Sequence, residues 1–193
     1  VRAHSCDDGG GGAGGIEDGG GILLEKKRPT LLFLFSVLEE FHLPGAVTAA
    51  RNLAPDIAIQ RDLVLAPDTP DMAARGNILL GAGPAMSMYS FHGRGTLNGT
   101  IPHPALVSLF STTATQQGLT LQRSAHTGAL TDSSYVQLLN NGIAAIDLGF
   151  PCRYTHSSLE VCDLGDLAGL TQLLVAGITR IDQTFSLDRD HYT

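Results

Sequence analysis

Thr30-Leu-Leu-Phe-Leu-Phe-Ser-Val-Leu38, followed at once by Glu39-Glu40, is the stretch that decides the fold of this chain. The near-continuous apolar run has the length of a strand. It lacks the alternation of polar and apolar residues that is typical of a strand with one solvent-exposed face. Such runs are typical of strands buried on both faces of a parallel sheet. Because the run ends abruptly on two glutamates, the sequence predicts two carboxylates at the carboxyl end of a strand.

The same pattern, an apolar run that ends on an acid, returns at Asp56-Ile-Ala-Ile-Gln-Arg-Asp62. A helix is predicted over residues 104–117, because proline stands at its start and Gly118 just past its end. Another is predicted over residues 164–179, with Asp163 as its cap. Further strands are predicted at residues 85–89, 119–124 and 142–149, and further helices at residues 47–52 and 133–140. This alternation predicts an α/β fold with a mostly parallel central sheet.

The composition excludes several classes of protein. With 193 residues, 43% of them apolar, the chain can bury the core of one globular domain. Its 12 Lys and Arg against 19 Asp and Glu give a net charge of −7, and the one basic cluster is Lys26-Lys27-Arg28. A nucleic-acid-binding surface is therefore not expected.

Cysteine usage and hydropathy bear on the compartment. Cys6, Cys152 and Cys162 make an odd number without a C-x-x-C pair, which argues against a disulfide framework and favours a reducing compartment. The longest apolar stretch, residues 31–35, is far shorter than the roughly 20 residues that cross a bilayer. No signal peptide is recognisable at the start of the sequence. We expect a cytoplasmic protein that does not enter membranes.

Acids and one histidine follow the predicted strands or lie in the loops beyond them. In open α/β sheets, ligands bind outside the carboxyl ends of the strands. Each candidate has an ordinary explanation by itself, such as a turn, a helix cap, an ion pair or a surface residue. Together they form a mixed oxygen and nitrogen set suited to Zn²⁺, with a spare carboxylate for general base catalysis. The candidates are Asp7, Asp8, Glu39, Glu40, Asp62 and His156.

Two other chemistries are weaker. Ser133 or Ser134 with Asp132 and His126 offers a Ser/His/Asp set, but no G-x-S-x-G elbow accompanies it. Cys152 and Cys162 flank the loop of His156 and offer metal ligands, although their wide spacing favours two packed small hydrophobic residues. His103, between two prolines, is predicted to be a structural loop residue.

Six short motifs occur in one order along the chain. They are Asp7-Asp8, the Glu39-Glu40 pair with Gly45, Asp62 with Asp68-Thr69-Pro70, Gly81-Ala82-Gly83-Pro84, Thr131-Asp132 and Arg153-Tyr154-Thr155-His156-Ser157. In these motifs the sequence resembles the cytoplasmic cocatalytic metallo-aminopeptidases, the family of glutamyl aminopeptidase and the tetrahedral (TET) aminopeptidases. The resemblance implies a three-layer α/β sandwich of the zinc-peptidase type, also described as phosphorylase/hydrolase-like.

The resemblance also implies roles for individual residues. Asp7 would bridge two divalent metal ions, Zn²⁺ or alternatively Co²⁺, with Glu40 and His156 completing one of them and Asp62 binding the other. Glu39 would be the general base, which takes a proton from water and returns it to the leaving amine. Three further carboxylates would lie around the metals or at the amino terminus of the substrate. They are Asp8, Asp68 and Asp132.

The sequence departs from the family pattern at its beginning. The family's further metal ligand, a histidine upstream of the Asp-Asp motif, would precede Val1, as would the first strands and an inserted β domain used for assembly. Residues 1–193 would thus be the C-terminal part of the catalytic peptidase domain. Gly9 replaces the Arg that commonly follows the two aspartates, and the glycine-rich residues 9–21 replace a helix.

Three functions remain open. The resemblance implies an aminopeptidase that removes the N-terminal residues of peptides and forms homo-oligomers, often dodecamers. A related metal-dependent amidohydrolase, such as a deacylase, would use the same metal chemistry on another amide. An inactive fragment with an assembly role is the third possibility, because the upstream histidine is missing from the sequence.

Overall fold

The computed structural model describes residues 2–7, 29–93 and 98–192, of which residues 2–7 and 191–192 are described by their backbone alone. The strands in these ranges are β1 (Arg2–Asp7), β2 (Thr30–Phe35), β3 (Ile57–Leu65), β4 (Ala85–Phe91), β5 (Gly99–Thr100), β6 (Gln122–Thr127), β7 (Ala144–Arg153) and β8 (Val161–Cys162). The α-helices are α1 (Pro44–Leu53), α2 (Pro104–Gln117), α3 (Ser133–Val136) and α4 (Leu164–Ile178). Asp8 and the glycine-rich residues 9–21, which carry two of the predictions above, lie outside the described residues.

All the strands belong to one open mixed sheet, in the order β2-β1-β3-β7-β4-β5, with β6 also pairing with β4 and β8 with β7. The long pairings, β1 with β2 and β3, β3 with β7, and β4 with β6, are parallel. The antiparallel pairings, β4 with β5, β4 with β7 and β7 with β8, cover two residue pairs each. The prediction of a mostly parallel α/β sheet is therefore confirmed.

Helices cover both faces of this sheet, because alternate residues of the central strands β3 and β7 are apolar on both sides. One core holds Ile57, Ile59, Ile146 and Leu148 from the strands together with Phe110 of α2 and Leu170, Leu173 and Leu174 of α4. A smaller core holds Ala58 and Ala145 from the strands together with Ala46 and Ala50 of α1 and Val136 of α3. These two cores make the three layers that the resemblance implied.

The ends of the two long helices agree with their local signals. His103 caps α2 by accepting a hydrogen bond from the backbone N–H of Ala105, and Gly118 follows α2 in the left-handed conformation at φ 66°. Asp163 caps α4 by accepting from the N–H of Gly165 at 2.7 Å. Among the described residues, no helix is long and apolar enough to cross a membrane.

Several predicted boundaries are wrong. Strand β3 does not end on Asp62 but continues to Leu65, and β6 covers residues 122–127 rather than 119–124. Strand β2 ends at Phe35 rather than Leu38, because the chain turns there into a loop. Helix α3 ends at Val136, and the turns after it reach Asn140, which adopts φ 54°. Strand β7 runs on to Arg153, because residues 150–152 continue the ladder with residues 63–65 of β3.

The contact of α2 with α4 leaves no room for a methyl group at Gly177. A Cβ added there would lie 2.4 Å from Cε1 of Phe110, a fully buried ring. We expect Gly177→Ala to lower the free energy of unfolding by about 1–2 kcal/mol, although alanine is the better helix former by about 1 kcal/mol. Chemical denaturation measures this. A double-mutant cycle with Phe110→Leu should recover part of the loss, whereas a Gly177→Ala variant more stable than the parent would contradict the packing.

Candidate functional site

Strands β1, β2, β3 and β7 run in the same direction, so their carboxyl ends lie along one edge of the sheet. Asp7 pairs with Phe35, and Cys6 pairs with Gln60. This register puts Asp7 at the end of its strand, one residue short of the level of Asp62. Only the backbone of Asp7 is described, so the register fixes its position along the edge and its metal-bridging role stays a prediction.

The loop of residues 36–43 carries Glu39 and Glu40 from the end of β2 to the start of α1. Leu38, His42 and Leu43 adopt φ values of 60°, 67° and 57° in this loop. Such left-handed conformations are unfavourable for residues with side chains, and they concentrate at functional sites. A Cβ at Gly45 would lie 2.6 Å from both the backbone N and the O of Val37, which explains the glycine of this motif.

His156 lies in the loop that follows β7. Tyr154 and His156 adopt φ values of 62° and 60°, and the N–H of His156 donates to Oε1 of Glu160 at 2.7 Å. The imidazole Nε2 lies 3.8 Å from Oε1 of Glu40, with the two side chains 72% and 59% exposed. This approach joins a carboxylate and an imidazole from two strained loops that are distant in sequence.

Asp62 is held on the face of the sheet that α1 and α3 cover. Its Oδ1 accepts from the N–H of Leu63 at 2.6 Å, and its Oδ2 accepts from Nε2 of Gln60 at 3.3 Å. Gln60 is itself buried, and its Oε1 accepts from the N–H of Ser133 at the start of α3 at 2.8 Å. The orientation of Asp62 thus depends on the packing of α3 against β3.

Asp68 binds Arg153, the residue at which β7 ends. Nε of Arg153 donates to Oδ1 at 2.6 Å, Nη2 donates to Oδ2 at 2.7 Å, and the N–H of Leu80 donates to Oδ2 at 2.8 Å. These contacts, above all the one from Arg153, lower the pKa of the Asp68 carboxyl from 3.8 to about 2. The bidentate pair fastens the loop after β3 to the start of the loop that carries His156.

Asp132 is 1% exposed, and its Oδ2 accepts from the hydroxyl of Ser36 at 2.9 Å. Ser36 is the first residue after β2, so this bond ties α3 to the loop of Glu39 and Glu40. The placement of Asp132 near the metals or the substrate amine remains a prediction. The hydrogen bond from Ser36 shows that Asp132 stabilises the loop of Glu39 and Glu40.

Sequence reasoning did not single out two buried acids. Asp147 lies within β7, where the hydroxyl of Thr131 donates to its Oδ2 at 2.8 Å and burial raises its pKa. Asp166 accepts from the N–H groups of Gly81 and Gly83 at 2.7 Å and 2.6 Å and so holds the glycine motif against α4. The signals were present, because Asp147 interrupts an apolar strand and Asp166 stands in the first turn of a helix.

No three His, Cys, Asp or Glu side chains within the described part of the chain lie close enough to hold a metal ion together. Glu40 and His156 approach each other to 3.8 Å, and their role as metal ligands stays a prediction. Residues 23–173 match the sequence model of the M42 glutamyl aminopeptidase family. The chain belongs to this family.

Relatives of this M42 chain are similar in sequence and in fold. SgcX of Escherichia coli (strain K12) is 38% identical over 141 residues, which cover 73% of this chain and 38% of SgcX. The structure of aminopeptidase APDkam598 from the archaeon Desulfurococcus kamchatkensis superposes with a TM-score of 0.80 at 30% identity, over 90% of this chain and 48% of that one. The structure of the TET1 peptidase of Pyrococcus horikoshii superposes with a TM-score of 0.71 at 25% identity, over 87% of this chain and 46% of that one. The M42 chain therefore spans less than half of each relative.

The Asp68–Arg153 pair should make the stability of the M42 chain depend on pH in the acid range. Because the pKa of Asp68 is lowered to about 2 in the folded state, its stabilising effect is complete above the ordinary value of 3.8 and is lost as the pH falls towards 2. We expect Asp68→Asn to remove about 1 kcal/mol of this pH-dependent stability, a value discounted for solvent screening. Denaturant titrations between pH 7 and pH 2 measure it.

The matched control is Asp71→Asn in the same loop. Asp71 is exposed, and its Oδ1 accepts from the neutral hydroxyl of Thr69 at 2.7 Å, whereas the partner of Asp68 is a charged guanidinium. Asp71→Asn should therefore change the pH dependence much less than Asp68→Asn. Equal effects of the two variants would show that the ion pair contributes nothing specific.

Proposed function

We propose that this chain supplies part of the active site of a metal-dependent aminopeptidase, which hydrolyses the N-terminal residues of peptides. The observation that carries the proposal is the 3.8 Å approach of Glu40 Oε1 to His156 Nε2 at the carboxyl edge of the sheet. The proposal is supported by membership of the M42 family and by similarity to an archaeal aminopeptidase.

The donor chemistry of this edge fits divalent cations. Glu40, Asp62 and Asp7 would contribute carboxylate oxygens and His156 an imidazole nitrogen, a mixed set that suits Zn²⁺ and also Co²⁺. When bound, two such ions supply Lewis acidity to the scissile carbonyl and to the attacking water. The bidentate Arg153–Asp68 pair would limit the movement of the loop that presents the imidazole.

Glu39 would act as the general base. It stands in the same turn as Glu40, so one carboxylate can face the metals while its neighbour faces the water. Glu39 would take a proton from that water and give it to the nitrogen of the leaving amine. The hydrogen bond of Ser36 to the buried Asp132 would hold the start of this loop in place at the edge of the sheet.

Assembly and location belong to the same proposal. The TET1 peptidase of Pyrococcus horikoshii can assemble into a tetrahedron or a large octahedral shell. We propose that the protein with this chain also forms a homo-oligomer, a dodecamer by analogy with the PhTET1-12s structure, which has a dodecamer in its asymmetric unit. A cytoplasmic location is supported by the two free cysteines in the described residues, Cys152 and Cys162.

Removal of the charge of Glu39 and of Glu40 should have different effects on kcat and on metal content. In the full-length protein, Glu39→Gln should lower kcat on aminoacyl-p-nitroanilides by about 10²- to 10⁴-fold without loss of metal, because a general base acts on the proton alone. Glu40→Gln should lower the metal content as well. Activity assays and metal analysis of the same samples separate the two.

The control is Asp188→Asn, an exposed carboxylate in the last residues of the chain, which should change neither quantity. A Glu39→Gln enzyme with unchanged kcat would exclude the proposed base. Hydrolysis of N-acetylated amino acids instead of aminoacyl substrates would replace the peptidase by a deacylase.

Metal binding can be tested without activity. We expect His156→Ala to weaken Zn²⁺ binding, measured by calorimetry on the chelator-treated protein, by more than about tenfold, the lower limit seen when even an outer partner of a ligand is removed. The control is His126→Ala in β6, on the opposite side of β4 from β7. If both variants bind Zn²⁺ like the parent, His156 is not a ligand.

A further inference from the structure

Two cysteines face each other across the base of the hairpin formed by β7 and β8. Cys152 of β7 is the direct partner of Cys162 in β8, and the next pair is Arg153 with Val161. Both thiols are free in this structure. Direct partners on antiparallel strands project their side chains from the same face of the hairpin, so the two sulfur atoms lie on one side.

The hydrogen bonds of Cys152 identify the type of pair. The carbonyl of Cys152 accepts from the N–H of Ala66, which follows β3 on the other side of β7. Since the N–H and C=O of one strand residue point to the same side, the backbone of Cys152 is directed at β3 and away from Cys162. Cys152 and Cys162 are therefore a non-hydrogen-bonded pair, in which Cα atoms are about 4.5 Å apart. This distance lies within the range of about 4.4–6.8 Å that disulfides span.

The two thiols differ in access. Cys162 is exposed, whereas Cys152 is 3% exposed and its thiol pKa is raised, first of all by burial. An external oxidant therefore meets Cys162 first. Cys152 is shielded from solvent but lies next to Cys162, which suits it to the second, intramolecular step.

We propose that Cys152 and Cys162 are a site of reversible oxidative modification, which forms an intramolecular disulfide with a low-molecular-weight disulfide such as oxidised glutathione. The Cys162 thiolate attacks one sulfur of that disulfide and releases one thiol molecule, leaving a mixed disulfide. The Cys152 thiolate then attacks the Cys162 sulfur and releases the second thiol molecule. Two electrons pass from the cysteines to the oxidant, whose two sulfurs leave as thiols with the two cysteine protons.

The bond would close a covalent ring around residues 153–161, the segment that contains His156 and Glu160. Cross-linking restricts the unfolded and open forms of the enclosed segment. Oxidation would therefore hold this loop at the edge of the sheet. The inference concerns the hairpin alone and does not depend on the proposed peptidase activity.

Tryptic mapping tests the proposal on the full-length protein, because Arg153 separates the two cysteines. Cleavage after Arg123, Arg153 and Arg180 puts Cys152 in residues 124–153 and Cys162 in residues 154–180, while Cys6 falls in another peptide. After oxidised glutathione and alkylation of the remaining thiols, we expect the first two peptides to be joined, with a loss of two hydrogen atoms in the intact mass. Dithiothreitol should separate them.

Cys162→Ser, a change at an exposed position, should abolish the joined species and leave Cys152 open to alkylation after unfolding. A glutathione adduct that stays on Cys162 while Cys152 remains a thiol would overturn the proposal. So would a disulfide in which either cysteine is joined to Cys6.

Discussion

The parallel pairing of β3 with β7 is the constraint on which the rest of this structure depends. Residues 57–65 lie in continuous register with residues 144–152, and both strands are covered on both faces by helices. Each strand delivers a loop to the same edge of the sheet. Gly149 permits the close approach, because a Cβ there would lie 2.2 Å from the carbonyl O of Asp62. A shift of this register by one residue would turn the side chains of one strand to the opposite face of the sheet and move apart the loops that meet at its edge.

The loops at that edge are held by polar contacts and not by the apolar core. Five residues other than glycine adopt left-handed conformations in the two loops that carry the glutamates and His156; they are Leu38, His42, Leu43, Tyr154 and His156. The cost of these conformations has to be offset by the surrounding contacts. The bonds of Asp132 with Ser36 and of Asp68 with Arg153 offset part of it, and each links a loop to a neighbouring element.

The β7–β8 hairpin lies at the same edge of the sheet and carries the loop of His156. Strand β7 continues past the apolar core as far as Arg153, and the short β8 returns alongside it. The segment between the two strands is therefore anchored at its start, where Arg153 binds Asp68. At the base of the same hairpin, Cys152 lies opposite Cys162. An ion pair and a potential covalent bond thus act on the same few residues around His156.

Local features were predictable from the sequence because they depend on neighbours along the chain. The boundaries of α2 follow from its proline and Gly118, and the cap of α4 follows from Asp163. The predicted strand ends do not, because β2 stops at Phe35, before the two glutamates, and β3 continues past Asp62 to Leu65. Tertiary structure alone decided which distant groups meet. The approach of Glu40 to His156 and the facing of Cys152 by Cys162 depend on sheet register and on left-handed turns at residues such as Leu38 that carry no local signature, so they exist only once the strands are aligned.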